Sequence, residues 1–222
     1  MTLGRKLISL FLLLTVIITP LTLTSCDRSY NKDEVISEAK RLLTDAHMLY
    51  SVYYGNGIMH HGGGHSEGDY EEADVIHLHQ LGFETIDELK ELTYKTFSEK
   101  YTESIIDNYL TSFEEDGIVY NFARYVQLYD GEDLDIPSVI LVYSKHKPIF
   151  EDRMTYDLDT VKDVKSEGDY VKMTVEVTVL SEDGESQRAE LDFTMYEEKS
   201  GWRIASPCFA NYNKYIDNEL LK

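Results

Sequence analysis

The stretch HHGGGHSEGD, His60 to Asp69, packs three histidines, four glycines and two acids into ten residues. Histidine is the commonest transition-metal ligand, and two acids stand beside these three. His60 or His61 with His65 supplies nitrogen donors, and Glu67 or Asp69 supplies oxygen donors. A short run follows, VIHLHQLGF, in which His77 and His79 alternate with Ile76, Leu78 and Gln80. Read as a strand, that alternation turns both histidines to one face and makes them a candidate ligand pair. The metal candidates are therefore His60, His65, His77 and His79.

Two physical features oppose a built metal centre. Gly55, Gly57, Gly62, Gly63, Gly64 and Gly68 surround the donors, and ordering so flexible a segment around an ion costs entropy. The spacing also matches no established metal motif, and the adjacent His60 and His61 are awkward partners for one ion. The residues therefore favour a surface loop, with no resident metal or cofactor expected. A second chemistry would pair His77 or His79 with Asp157 or Asp159 as a general base, in a small-molecule lyase or hydrolase. No Ser/His/Asp signature, phosphate-cradling glycine loop or zinc-peptidase motif accompanies them.

The elements that must position these residues begin behind a leader. Arg5 and Lys6 precede an apolar run from Leu7 to Ile18, of signal-peptide length and short of the roughly 20 residues a span needs. The run ends in LTSC, which resembles a bacterial lipobox. That resemblance implies residues 1–25 as a lipoprotein signal peptide and diacylglyceryl attachment at Cys26. It places the chain outside the cytoplasm, anchored to the cell membrane by lipid alone. Cys208 is then left without a disulfide partner, and its segment WRIASPCFANYNKY favours burial over nucleophilic chemistry.

Loss of the leader takes Arg5 and Lys6 from 21 bases, leaving 19 against 41 acids and a net charge of −22. So acidic a surface disfavours nucleic acid and anionic headgroups and would attract cations or a basic partner, although acids spread along the chain in this way usually do no more than solvate the surface. Residues 27–31 read as a short tether, and 26–222 as one domain.

The domain opens with helices. Asn31 and Glu34 cap a helix whose Val35, Ala39, Leu42, Leu43, Ala46, Leu49 and Tyr50 form one apolar stripe, stopped by Gly55. Thr85 and Glu88 form a capping box before Ile86, Leu89 and Phe97, and TESIIDNYLTSF reads as a third helix. After Gly117 the period becomes two. IVYNFARYVQLY and SVILVYS read as strands, with Pro137 and Pro148 leaving their order open. Four further strands follow, separated by the turns EGD, EDGE and KSG, with Val171, Met173, Val175, Val177 and Val179 on one face and Trp202 as a core anchor. Helices followed by such a meander predict an α+β fold, with N-terminal helices packed on one face of a curved, mainly antiparallel sheet. Nuclear-transport-factor-like and cystatin-like layouts are of this kind.

Three stretches, YSVYYGNG, LGFETIDELKELTYKTFSEKYTESIIDNYL and GWRIASPCFANYN, resemble the Gram-positive family of secreted cell-wall D,L-endopeptidase inhibitors, the IseA-type proteins. The resemblance implies an envelope protein that occludes the cleft of an NlpC-type cysteine peptidase. It carries over no catalytic residue, because an inhibitor of this kind needs none. The His/Gly insertion departs from the family's pattern, in a loop between the first helix and the first strand. Its neighbours Tyr70, Glu71, Glu72 and Asp74 are the candidate partner-binding residues. The alternative is a metal- or small-ligand-binding lipoprotein using residues 60–79.

Overall fold

Asn31 opens the first helix by accepting the Asp33 N–H at 3.2 Å, while Asp33 and Glu34 place negative charge on its first turn. The computed structural model describes residues 30–60, 66–115, 118–121, 123–128, 139–146, 154–180 and 186–206. Within it, α1 runs Lys32–Tyr53, and all seven residues of the expected stripe are buried. Burying each large aliphatic side chain is worth about 1.5–3 kcal/mol, so this face outweighs any helix propensity.

The run VIHLHQL is a helix, not the expected strand: α2 spans Val75–Leu81. The deciding signals lie at its ends. Asp74 accepts the His77 N–H at 2.9 Å as N-cap, and Gly82 closes the helix with φ of +82°. Seven residues bounded by a cap acid and a left-handed glycine favour two helical turns over an alternating strand. Helix α3, Ile86–Thr96, begins with the expected capping box: Glu88 N–H donates to Thr85 Oγ1 at 3.1 Å and Thr85 N–H to Glu88 Oε2 at 3.2 Å. Helix α4 covers Glu99–Tyr109, three residues earlier than expected at its start, and Phe113 belongs to the next strand.

The chain is α+β, and among the described residues its strands form two four-stranded antiparallel sheets and a hairpin. The first sheet contains β1 (Ser66–Glu67), β2 (Tyr70–Glu72), β5 (Tyr125–Leu128) and β6 (Val139–Tyr143), in the order β1-β2-β6-β5. The hairpin pairs β3 (Phe113–Glu115) with β4 (Ile118–Asn121). The second sheet is the expected meander: β7 (Met154–Glu167), β8 (Tyr170–Leu180), β9 (Ser186–Glu198) and β10 (Gly201–Ile204), each beside the next. Val171, Met173, Val175 and Val177 are buried, with Val179 half-buried at the strand's end.

Helix α1 packs along β7 and β10, and α3 reaches both β10 and β5, so the helices join the two sheets. Trp202 is half-buried rather than the core anchor of the last strand. That place is taken by Ile204, fully buried and paired with Met195. Residues 1–25, expected as a leader, lie outside the described residues, as do Cys26 and Cys208.

Candidate functional site

The last turn of α1 leaves carbonyl oxygens without helical partners and carries the negative end of the helix dipole. A buried cation answers both. Arg124, 4% exposed, donates from Nη1 to Tyr53 O at 2.6 Å and from Nη2 to Gly55 O at 2.7 Å. Burial holds its pKa below the usual guanidinium range, against the opposing pull of Tyr125 and Tyr109. Its Nε is buried and without a hydrogen-bond partner among the described residues. Gly57, at φ +79°, makes room for this group, because a Cβ there would lie 2.3 Å from Arg124 Nη2.

Tyr125 completes the clamp. Its hydroxyl donates to Val52 O at 2.5 Å and accepts the Ile58 N–H at 3.3 Å. Burial pushes its pKa up to about 12, so the hydroxyl remains a donor at any physiological pH. The segment leaving α1 is thereby fixed up to Ile58.

The next two residues carry that order to the surface. Met59 N–H donates to His77 Nδ1 at 2.8 Å, and Met59 O accepts the Asp74 N–H at 2.7 Å. His60 bridges Ala73 in antiparallel fashion, and its Nδ1 lies 2.7 Å from Glu71 Oε2, each side chain 32% exposed. Tyr70 donates its hydroxyl to Ala123 O at 2.7 Å and packs its ring 5.3 Å from that of Tyr143. Burial raises its pKa above the usual phenol range. Beyond β6, Ser144 ties back through its N–H and Oγ to Asp69 O. Tyr70, Glu71, Glu72 and Asp74, the expected partner-binding residues, therefore lie on a short ledge. Its floor is β2 and the N-terminal turn of α2, and all four are half-buried.

The histidines fare differently. His65 lies outside the described residues. His77 and His79, two positions apart on a helix, sit about 200° apart around its axis and share no face. The helix thus removes the expected strand-face ligand pair. His77 is engaged with Met59 and with the α2 cap, and His79 Nδ1 stands 3.2 Å from Glu84. Among the described residues, no group of three His, Cys, Asp or Glu side chains has metal-holding geometry. Asp157 and Asp159 are exposed on β7, with Asp159 3.4 Å from Lys40, and no described hydrogen bond joins either to His77 or His79.

Sequence reasoning passed over Arg124, Tyr125 and His146. A lone arginine inside the apolar run NFARYVQL was the available signal for the first. His146 packs its ring 6.3 Å from that of Tyr109 and buries Nε2 without a partner among the described residues. Burial, then the charge of Arg124, lowers its pKa to about 4. Compared with family models, curated proteins and solved structures, the chain matches none.

Proposed function

We propose that this protein is a lipid-anchored envelope protein, held to the membrane through Cys26, that binds NlpC-type cell-wall D,L-endopeptidases and restrains them. The observation that supports a binding role is the ledge itself. Tyr70, Glu71 and Glu72 pair with β6, Asp74 donates its N–H to Met59 O, and Tyr70 bonds Ala123 O beside the Arg124–Tyr125 clamp. A pre-ordered surface loses little entropy on association, which is the requirement for an inhibitor that works by occlusion. An acidic ledge also suits a basic groove, since complementary charge speeds encounter. The histidines nearest the ledge serve structural hydrogen bonds, which favours binding over catalysis as its role.

The test follows hydrolysis of purified peptidoglycan by an NlpC-type endopeptidase, with the full chain added in detergent, with and without a chelator. Stoichiometric inhibition that ignores the chelator is expected. Undiminished hydrolysis at a large excess of this protein would refute the reading.

One observation favours a second reading. A carboxylate on one imidazole nitrogen is the usual outer partner of a metal-bound histidine, and Glu71 stands in that relation to His60. Metal binding through His60 with other loop donors would then appear as zinc uptake by the full chain, lost in His60→Ala.

A further inference from the structure

Three large apolar side chains stand exposed around one point of the ledge. Met59 is 61% exposed, Val75 57% and Ile76 70%. The Asp74 N–H to Met59 O bond and the Met59 N–H to His77 bond hold Met59 against the first turn of α2, the turn that carries Val75 and Ile76. Other large exposed apolar side chains among the described residues are spread over α3, β5, β7 and the two ends of β8: Tyr94, Leu128, Val164, Tyr170 and Leu180. Such scattered residues need no explanation, whereas a gathered patch on rigid backbone does.

Acidic residues stand beside the patch among the described residues. Glu71 and Glu72 precede it on β2, and Asp74 sits between Met59 and Val75–Ile76 as the cap of α2. An apolar centre inside a polar rim is the anatomy of a protein-docking site, with the centre supplying most of the affinity and the rim the rate and orientation.

We infer that Met59, Val75 and Ile76 are the apolar anchor of this protein's docking surface, and that the partner presents an apolar recess bordered by lysine or arginine. The inference rests on the proposed function, which makes that partner the endopeptidase, and it adds which side chains enter the recess. The acid rim selects the partner's chemistry. A recess bordered by acids would meet Glu71, Glu72 and Asp74 as like charges, which opposes association. His77 is a positioning residue here: its Nδ1 accepts the Met59 N–H and, together with the Asp74 N–H on Met59 O, holds the Met59 backbone beside the first turn of α2.

The experiment measures binding of the full chain, in detergent, to an NlpC-type endopeptidase domain by surface-immobilised kinetics. Ile76→Asp and Met59→Ser are compared with Val164→Asp, an equally exposed position on β7. All three substitutions are at exposed sites, and thermal melts confirm folding. Wild type is expected to bind, Ile76→Asp to weaken the Kd on the order of 30-fold through faster dissociation, and Val164→Asp to change it less than about 3-fold. Glu72→Gln with Asp74→Asn is expected to slow association and flatten its salt dependence. His77→Phe is expected to weaken binding in wild type and have no further effect in Met59→Ser, a non-additivity that a merely structural role would not produce.

Failure of wild type to bind would overturn the proposed function and this inference together. Binding by wild type that Ile76→Asp and Met59→Ser leave unchanged would overturn the anchor alone. Sedimentation showing that the full chain dimerises, and that Ile76→Asp makes it monomeric, would assign the patch to a second copy and overturn it as well.

Discussion

Arg124 donates from Nη2 to the carbonyl oxygen of Gly55 at 2.7 Å, joining residues 69 positions apart in the chain. The bond places a buried cation at the negative end of a 22-residue helix, where its second donor also meets Tyr53 O. The segment leaving the helix, up to Ile58, takes its position from this contact and from Tyr125.

Replacing Arg124 with Met therefore removes two hydrogen bonds and leaves two buried carbonyls unpaired. Unfolding in urea should show a loss of about 3 kcal/mol, with the midpoint rather than the slope changed. Arg124→Lys should recover only part of it, because an ammonium cannot span both acceptors as a planar guanidinium does.

Gly57 makes room for the clamp. Alanine there places Cβ 2.3 Å from Arg124 Nη2 and 2.6 Å from the Tyr125 hydroxyl, on backbone at φ +79°. Gly57→Ala should lower stability by about 2–3 kcal/mol, the sum of a clash and a disfavoured conformation. Gly68→Ala, also at positive φ but with nothing within 4 Å of the added Cβ, should cost about 1 kcal/mol. A pair of melts decides between the two.

His146 gives the fold a pH dependence. Its pKa in the folded protein, about 4, lies below the ordinary value of 6.5, first through burial and then through Arg124. The unfolded chain takes up this proton first. The stability tied to the neutral ring is thus complete above pH 6.5 and declines as pH falls from there to about 4. The melting temperature of wild type should fall more steeply across that window than that of His146→Phe. Parallel curves would rule out the ring as the titrating group.

Asp74 serves both the cap of α2 and the charge of the ledge. Asp74→Asn keeps an acceptor for the His77 N–H and should retain stability within about 0.5 kcal/mol. Asp74→Ala removes the cap and should cost about 1 kcal/mol. Both should slow association with a basic partner to a similar extent, since both remove the same charge. Melts and association rates measured on the same preparations separate the two roles.

Much of the fold was legible because its signals are local. The α1 stripe, the Thr85–Glu88 box and the β7–β10 meander each depend on residues within a turn or a hairpin of one another. Their periods of 3.6 and 2 can be read directly. In VIHLHQL the alternation pointed to a strand, and the caps at Asp74 and Gly82 outweighed it. Over seven residues the apolar pattern does not separate the two periods, and the ends decide.

By itself the sequence determined an α+β chain, the helix stripe, the order of the last four strands and a strongly acidic composition. The tertiary structure decided what brings distant segments together. It paired Tyr70 with Tyr143, so that a strand preceding α2 joins one lying beyond α4, and it set Arg124 under the end of α1. It also gathered Met59 with Val75 and Ile76. No local preference encodes such contacts. Their register comes from burying a shared core and satisfying backbone groups left open at element ends, and only the folded chain supplies those partners.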